Sequence, residues 1–153
     1  MKALSLTQPW AHAVIHHGKT IENRRWNTKF RGEFLIHAAK KMTQDDYDVC
    51  SEVVDDVCGL TILPEFGELQ RGGIVGRATL VDVVHPQNDI PPAFRRYPDG
   101  DGLTGSMWRW HFDAQYGFVL ADVRPLPFVP CLGALGFWRV PPAVLRQLDA
   151  GGP

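Results

Sequence analysis

Three cysteines in 153 residues, at positions 50, 58 and 131, are too few and too unevenly spaced for a disulfide framework. They fit reduced thiols in a cytoplasmic protein. No apolar run reaches the length that a bilayer-spanning helix needs. The opening MKALSLTQPW carries one Lys and then polar Thr and Gln, without the unbroken apolar core and small-residue cleavage site of a secretory signal. Repeats, low-complexity tracts, a glycine-rich phosphate loop and the GxSxG elbow are all missing, which removes P-loop and Ser-hydrolase chemistry. Metal chemistry also lacks its patterns. His12, His16 and His17 can bring two imidazoles together one helical turn apart, but no Glu follows His12 as in HExxH. Cys50 and Cys58 lie eight apart on one helical face with no second ligand pair, so they read as core thiols. Neither a metal nor a cofactor is expected.

What is present suits one globular domain spanning 1–153. Apolar residues make up 44% of the chain, enough for a real core, and five Trp are a high count. Trp that stays partly wet tends to line binding surfaces or stack on flat ligands. Net charge is only −1, yet its distribution is uneven. Residues 19–41 hold seven Lys or Arg against Glu22 and Glu33, and residues 42–70 hold eight Asp or Glu with no Lys or Arg. Such segregation can place a basic face, the footprint of polyanion binding, on a neutral protein, or the two blocks can neutralise each other.

The pattern along the chain predicts many strands and few helices. KALSL alternates as a strand, Gln8-Pro9-Trp10 opens a short helix, and Gly18 stops it. TIENRRW reads as a strand with Ile21 on one face and Glu22 and Arg24 on the other. EFLIHAA is apolar enough for a central strand. Thr43 to Asp46 forms a capping box before an acidic amphipathic helix that runs to about residue 58. GGIVGRATLVDVV is the longest strand signal, bent at Gly76. Residues 86–105 form a long loop carrying Arg95 and Arg96, of a length that is commonly functional. SMWRWHF and YGFVLADV are expected to pair as a hairpin, followed by a Pro-rich segment ending at Trp138 and a short helix begun by Pro141-Pro142. The sum is an α+β, mainly β fold: a small, partly open barrel with one amphipathic and two short helices.

Chemistry concentrates in GKTIENRRW, residues 18–26. Glu22 and Arg24 point the same way on a strand, and Lys19 can lean over them from the turn. Lys, Glu and Arg at a barrel mouth can hold a planar polar ligand such as a nucleobase together with its phosphate. They can do acid–base work if burial strips Lys19 of water, with Glu22 or His111 as the proton partner. They can equally form a structural ion-pair network.

LSLTQPWAHAVIHHGKTIENRRW followed by RGEFLIHAAKK resembles the ASCH domain, the activating signal cointegrator homology domain of the PUA-like superfamily. Its signature is G-x-K-x-x-E-x-R after a Q-P-W or Q-P-Y helix start. Lys19, Glu22 and Arg24 match the charged positions and Gln8-Pro9-Trp10 the upstream element, while Gly18 stands one residue closer to the Lys than the signature glycine. GGIVGRATLVDVV and YGFVLADVRPLP…LGFWRV extend the likeness over about residues 1–140. The resemblance implies a PUA-like β-barrel and a role with RNA, another nucleic acid or a modified nucleotide. Enzymatic relatives that hydrolyse N4-acetylcytidine use a Lys, a Thr and a distant Glu. Here Glu22 stands at the Thr position, and a carboxylate does not replace a Thr nucleophile in that amide hydrolysis.

Two functions follow. As a binding module, the chain would hold a single-stranded segment beside the Lys19–Glu22–Arg24 strand. Arg25, Lys29, Arg31, Lys40, Lys41, Arg95 and Arg96 would meet phosphates, and Trp10, Trp26 and Trp108 would stack on bases. As an enzyme, an amidohydrolase or ribonuclease acting on a nucleoside derivative or RNA, it would use Lys19 and Glu22. A shallow basic groove favours the binder, and a deep ligand-sized cavity around Lys19 favours the enzyme.

Overall fold

The computed structural model describes residues 1–86 and 107–151. Six strands, β1 (Lys2–Leu6), β2 (Ile21–Arg24), β3 (Gly32–Ala38), β4 (Gly73–Val84), β5 (Tyr116–Pro130) and β6 (Phe137–Arg139), form one sheet in the order β2-β5-β4-β3-β1-β6. All neighbours are antiparallel except β1 and β3. The sheet curls into a half-barrel, as the sequence predicts.

The period of two along each strand decides what faces inward. Leu4 and Leu6 of β1 join Phe34 and Ile36 of β3, Leu80 of β4 and Phe118 of β5 in a fully buried inner core. The alternate residues Ala3, Leu35, Ile74 and Val129 face outward, where α3 (Pro142–Ala150) covers them with Val144. A third cluster fills the space between the helices: Ala13 of α1 (Trp10–His16), Cys50 and Val54 of α2 (Gln44–Cys58), Ile21, Leu63 and Trp110.

Local chemistry sets the helix ends. The Thr43 hydroxyl accepts the Asp46 N–H at 3.1 Å while the Thr43 N–H donates to the Asp46 carboxylate at 2.7 Å, the expected capping box. The Gln8–Pro9 bond is cis. The buried Gln8 amide accepts the His12 N–H at 3.0 Å and donates to the Gln70 carbonyl at 2.9 Å, tying the start of α1 to the approach of β4. Gly18 takes φ +66° and turns the chain so that the Lys19 N–H reaches back to the Ala13 carbonyl.

Three expectations are corrected. Residues 107–110 of SMWRWHF form a 3-10 turn, and β5 pairs with β2 and β4 instead. The Trp110 carbonyl there accepts from Asn23 and the Phe112 N–H donates to Asn23, so side-chain bonds to the edge strand replace a ladder. Second, β5 runs through the Pro-rich stretch to Pro130. Pro125 lies opposite Gly76 at one of the register shifts between β4 and β5, which let the sheet tolerate a residue with no N–H to donate, and Pro130, opposite Gly73, is the last residue of its strand. The predicted bend at Gly76 coincides with one of these shifts. Third, only Cys50 is a core thiol. Cys58 is exposed at the end of α2, with its Sγ donating to the His17 carbonyl.

Candidate nucleic-acid interface

The charged residues of GKTIENRRW form one connected unit. Lys19 is 1% exposed, its ammonium 3.0 Å from Glu22 and 5.4 Å from the centre of the Trp10 ring, and it also donates to the Ile21 carbonyl. The second Glu22 oxygen meets Arg24 at 3.2 Å. One carboxylate therefore bridges two cations, the same-face arrangement that strand periodicity predicts. Arg24 goes further and donates to the Ser5 carbonyl at 2.6 Å. The Leu6 carbonyl accepts from Ala39 beside β3, so by alternation the Ser5 carbonyl faces the other way. β6 stops pairing at Leu4, and Arg24 satisfies the carbonyl just beyond it. Arg24 thus bridges the edge strand β2 to the part of β1 that β6 leaves uncovered, across the half-barrel's open seam.

A cavity of about 150 Å³ lies over this unit, lined by Trp10, Lys19, Glu22, Asn23, Phe112 and Gln115. His111, next to it, is buried with Nε2 2.7 Å from the Gln115 carbonyl.

A larger feature opens on the other side of Arg24. A cavity of about 500 Å³ bounded by Arg24, Trp26 and residues 134–136 shares Ser5, Ala134 and Leu135 with one of about 790 Å³. The second is lined by His37, Lys40, Lys41, Arg71 and residues 130–135. The two form a continuous groove. Arg24, Lys40, Lys41 and Arg71 line it, and no carboxylate does. The β3–β4 register, in which Ala38 pairs with Gly73, sets Arg71 beside Lys40.

The wall of the groove is the loop 131–136 between β5 and β6. The Cys131 carbonyl lies 3.1 Å from His37 Nε2, and since a carbonyl only accepts, Nε2 carries the proton. His37 Nδ1 has no hydrogen-bond partner among the described residues. Burial pushes the His37 pKa down, opposed by the bond to Cys131. Ser5 Oγ donates to the Ala134 carbonyl at 3.3 Å and accepts from Trp138 at 3.1 Å. Trp138 stands edge-on to His37 with ring centres 5.5 Å apart, so it has a supporting position behind the wall.

The predicted site residues therefore separate. Trp10, Lys19 and Glu22 share the small cavity, Arg24 and Trp26 the middle one, and Lys40 and Lys41 the large one. Trp26 is packed edge-on against Phe118 and Phe137. Arg25 and Lys29 are exposed and line none of these cavities. Arg31 is tied to the Thr28 and Phe30 carbonyls and lies 3.6 Å from Asp82. Arg95, Arg96 and the Trp108 side chain lie outside the described residues. Ser5, His37, Arg71, Leu132 and Leu135 were not legible as site residues. The one available signal was CLGALG, two leucines among glycines with no helical or strand period.

The histidines of α1 crowd each other, with ring centres of His12 and His16 4.5 Å apart and of His12 and His17 5.2 Å apart. Burial first, then repulsion from His16 and His17, pushes His12 down to about 4. Among the described residues no three His, Cys, Asp or Glu are placed to hold a metal ion. No helix there is long and apolar enough to cross a membrane.

A family model, the ASCH domain, matches residues 4–126. No curated protein matches the chain. Among solved structures, the crystal structure of ASCH from Zymomonas mobilis is similar in fold, with a TM-score of 0.52 at 18% sequence identity. The likeness covers 97% of this chain and 93% of that one.

Proposed function

This chain belongs to the ASCH domain family, and from that premise we propose that it is a nucleic-acid-binding domain holding a single-stranded RNA segment in the groove between Trp26 and Arg71. The carrying observation is the lining itself: Arg24, Lys40, Lys41 and Arg71 with no carboxylate among them. A protein of net charge −1 draws a polyanion only through such a local concentration of cations. Arg24 is held at the seam and positions the groove's edge, while exposed Lys40 and Lys41 are free to meet phosphates. Trp26 offers an aromatic surface beside Arg24 on which a base can stack.

Catalysis by Lys19 and Glu22 on a nucleoside derivative or RNA has one observation on its side, the cavity they share with Trp10. At about 150 Å³ it is smaller than ligand pockets usually are. The Lys19 ammonium there is already engaged by Glu22 and the Ile21 carbonyl. The binding reading is therefore the conclusion.

The test is the affinity of a fluorescent single-stranded RNA across salt concentrations, for the wild type and for Lys40→Ala/Lys41→Ala/Arg71→Ala. Single strands lose affinity with a log–log slope of about −0.7 per phosphate contact, so removing three contacts should flatten the slope by about 2. No binding at low salt, or a slope that the triple variant leaves unchanged, overturns the proposal.

A further inference from the structure

We infer that the loop 131–136 is a preorganised apolar wedge that contacts unpaired bases, so that the groove takes single-stranded and rejects base-paired nucleic acid. This rests on the nucleic-acid reading above and names the form of ligand that the same groove selects.

Leu132 is 91% exposed and Leu135 98% exposed. Neither belongs to a core cluster, and both line the groove, Leu135 in each of its halves. Leu60 and Ile62 are as exposed but line none of the cavities described above. Exposed apolar surface rimmed by charged side chains is the usual mark of a contact surface.

The loop holds these leucines out because its backbone is fixed from behind. The Cys131 carbonyl is bonded to His37 and the Ala134 carbonyl to Ser5. Gly133 lies so close that a Cβ there would come within 2.5 Å of His37 Cε1 and 2.7 Å of both His37 Nδ1 and Ser5 Oγ. Gly136 then turns the chain into β6 at φ +63°. A tethered backbone with free leucines is a rigid support for a contact, and rigidity lowers the entropic cost of binding.

Charge fixes the orientation of the occupant. Lys40, Lys41 and Arg71 approach the large cavity from the β3 and β4 ends, and the leucines come from the β5–β6 loop. A strand whose phosphates lie on the cations turns its bases toward the loop. In a single strand those bases are free to pack on apolar side chains. In a duplex they are stacked and paired, and the loop would press leucine against charged backbone, desolvating phosphate with nothing in return.

The experiment compares an RNA of about 12 nucleotides, within the site sizes of single-strand binders, with its duplex across the same series of salt concentrations. It uses the wild type, Leu132→Ser/Leu135→Ser, and the Lys40/Lys41/Arg71 alanine variant. The serine variant removes no core contact, and circular dichroism verifies its fold. The wild type is expected to favour the single strand at least tenfold, about the worth of one base contact. The serine variant should lose about tenfold for the single strand, gain affinity for the duplex as the leucine penalty is removed, and keep its salt slope. The lysine–arginine variant should lose affinity for both forms and flatten the slope. Equal wild-type affinity for both forms, or unchanged single-strand affinity in the serine variant, refutes the wedge while leaving the nucleic-acid reading intact. Self-association in sedimentation that the serine variant abolishes, with RNA affinity untouched, assigns the leucines to a second copy of the chain and also refutes it. No binding to either form at low salt removes both proposals.

Discussion

Replacing Glu22 by Gln tests whether the charged unit of β2 holds the fold together. Glu22 is the hub: one carboxylate oxygen is 3.0 Å from Lys19 and the other 3.2 Å from Arg24. The side chains are 1% exposed for Lys19, 10% for Glu22 and 20% for Arg24. Removing one partner of a buried ion pair typically costs about 3–5 kcal/mol, because the other charge stays buried without compensation. Arg24 keeps some access to water and the Gln amide keeps a hydrogen bond, so the lower end applies, about 3 kcal/mol. Lys19→Met is the control. It removes the ion pair with Glu22, the bond to the Ile21 carbonyl and the contact with Trp10. But it takes its own charge away, leaves Glu22 paired with Arg24 and fills the same space, so the smaller loss of about 1–2 kcal/mol is expected. In a chain of this size each kcal/mol moves the melting temperature by about 2–4 °C, so Glu22→Gln should melt about 6–12 °C below the wild type. Urea unfolding of both variants, with slope m unchanged, gives the comparison. If Lys19→Met loses as much stability as Glu22→Gln, the hub argument is wrong and the Lys19 ammonium itself is the essential group.

Gln8→Leu should cost about 1–2 kcal/mol, since it leaves the partly buried His12 N–H and Gln70 carbonyl without their side-chain partner, and urea unfolding measures it. His12, His17 and His37 all have pKa values below their ordinary one, so the native state binds fewer protons than the unfolded chain at mildly acidic pH. Their contribution is complete above about 6.5, and stability should fall as pH drops from there toward about 4. His12→Gln should make unfolding midpoints less pH-dependent in that interval. With a thiol reagent at pH 8, exposed Cys58 should react first, while Cys50, buried and pushed up to about 12, should react only after unfolding. Labelling of native Cys50 would contradict the packing between α1 and α2.

Features governed by neighbours in the chain were legible in advance. The capping box of α2 needs only residues 43–46, and the pairing of Glu22 with Arg24 only the two-residue repeat of a strand. The ASCH signature added the family, and with it the half-barrel. What depends on pairing between distant segments was not legible. Arg71 becomes a groove residue only because β3 and β4 align Ala38 with Gly73. The role of Arg24 at the seam requires knowing that β6 stops at Leu4. Residues 107–112 were misread because alternating Trp and His mimic strand periodicity, whereas here Asn23 bonds their backbone in place of a ladder. The prolines of β5 discouraged a strand assignment that the glycines opposite them permit.

The position of β1 has a consequence for how the chain comes together in time. Ala3 pairs with Leu35 on one side and with Trp138 on the other. At about 5–20 residues per second, a ribosome that has delivered the first partner needs about 5–20 s more to deliver the second. Through that interval one edge of β1 waits uncovered, and the loop that precedes β6 does not yet exist. The wall of the groove is thus among the last parts of the sheet to be laid down, and a nascent chain acquires its complete groove only as the sheet acquires its final strand.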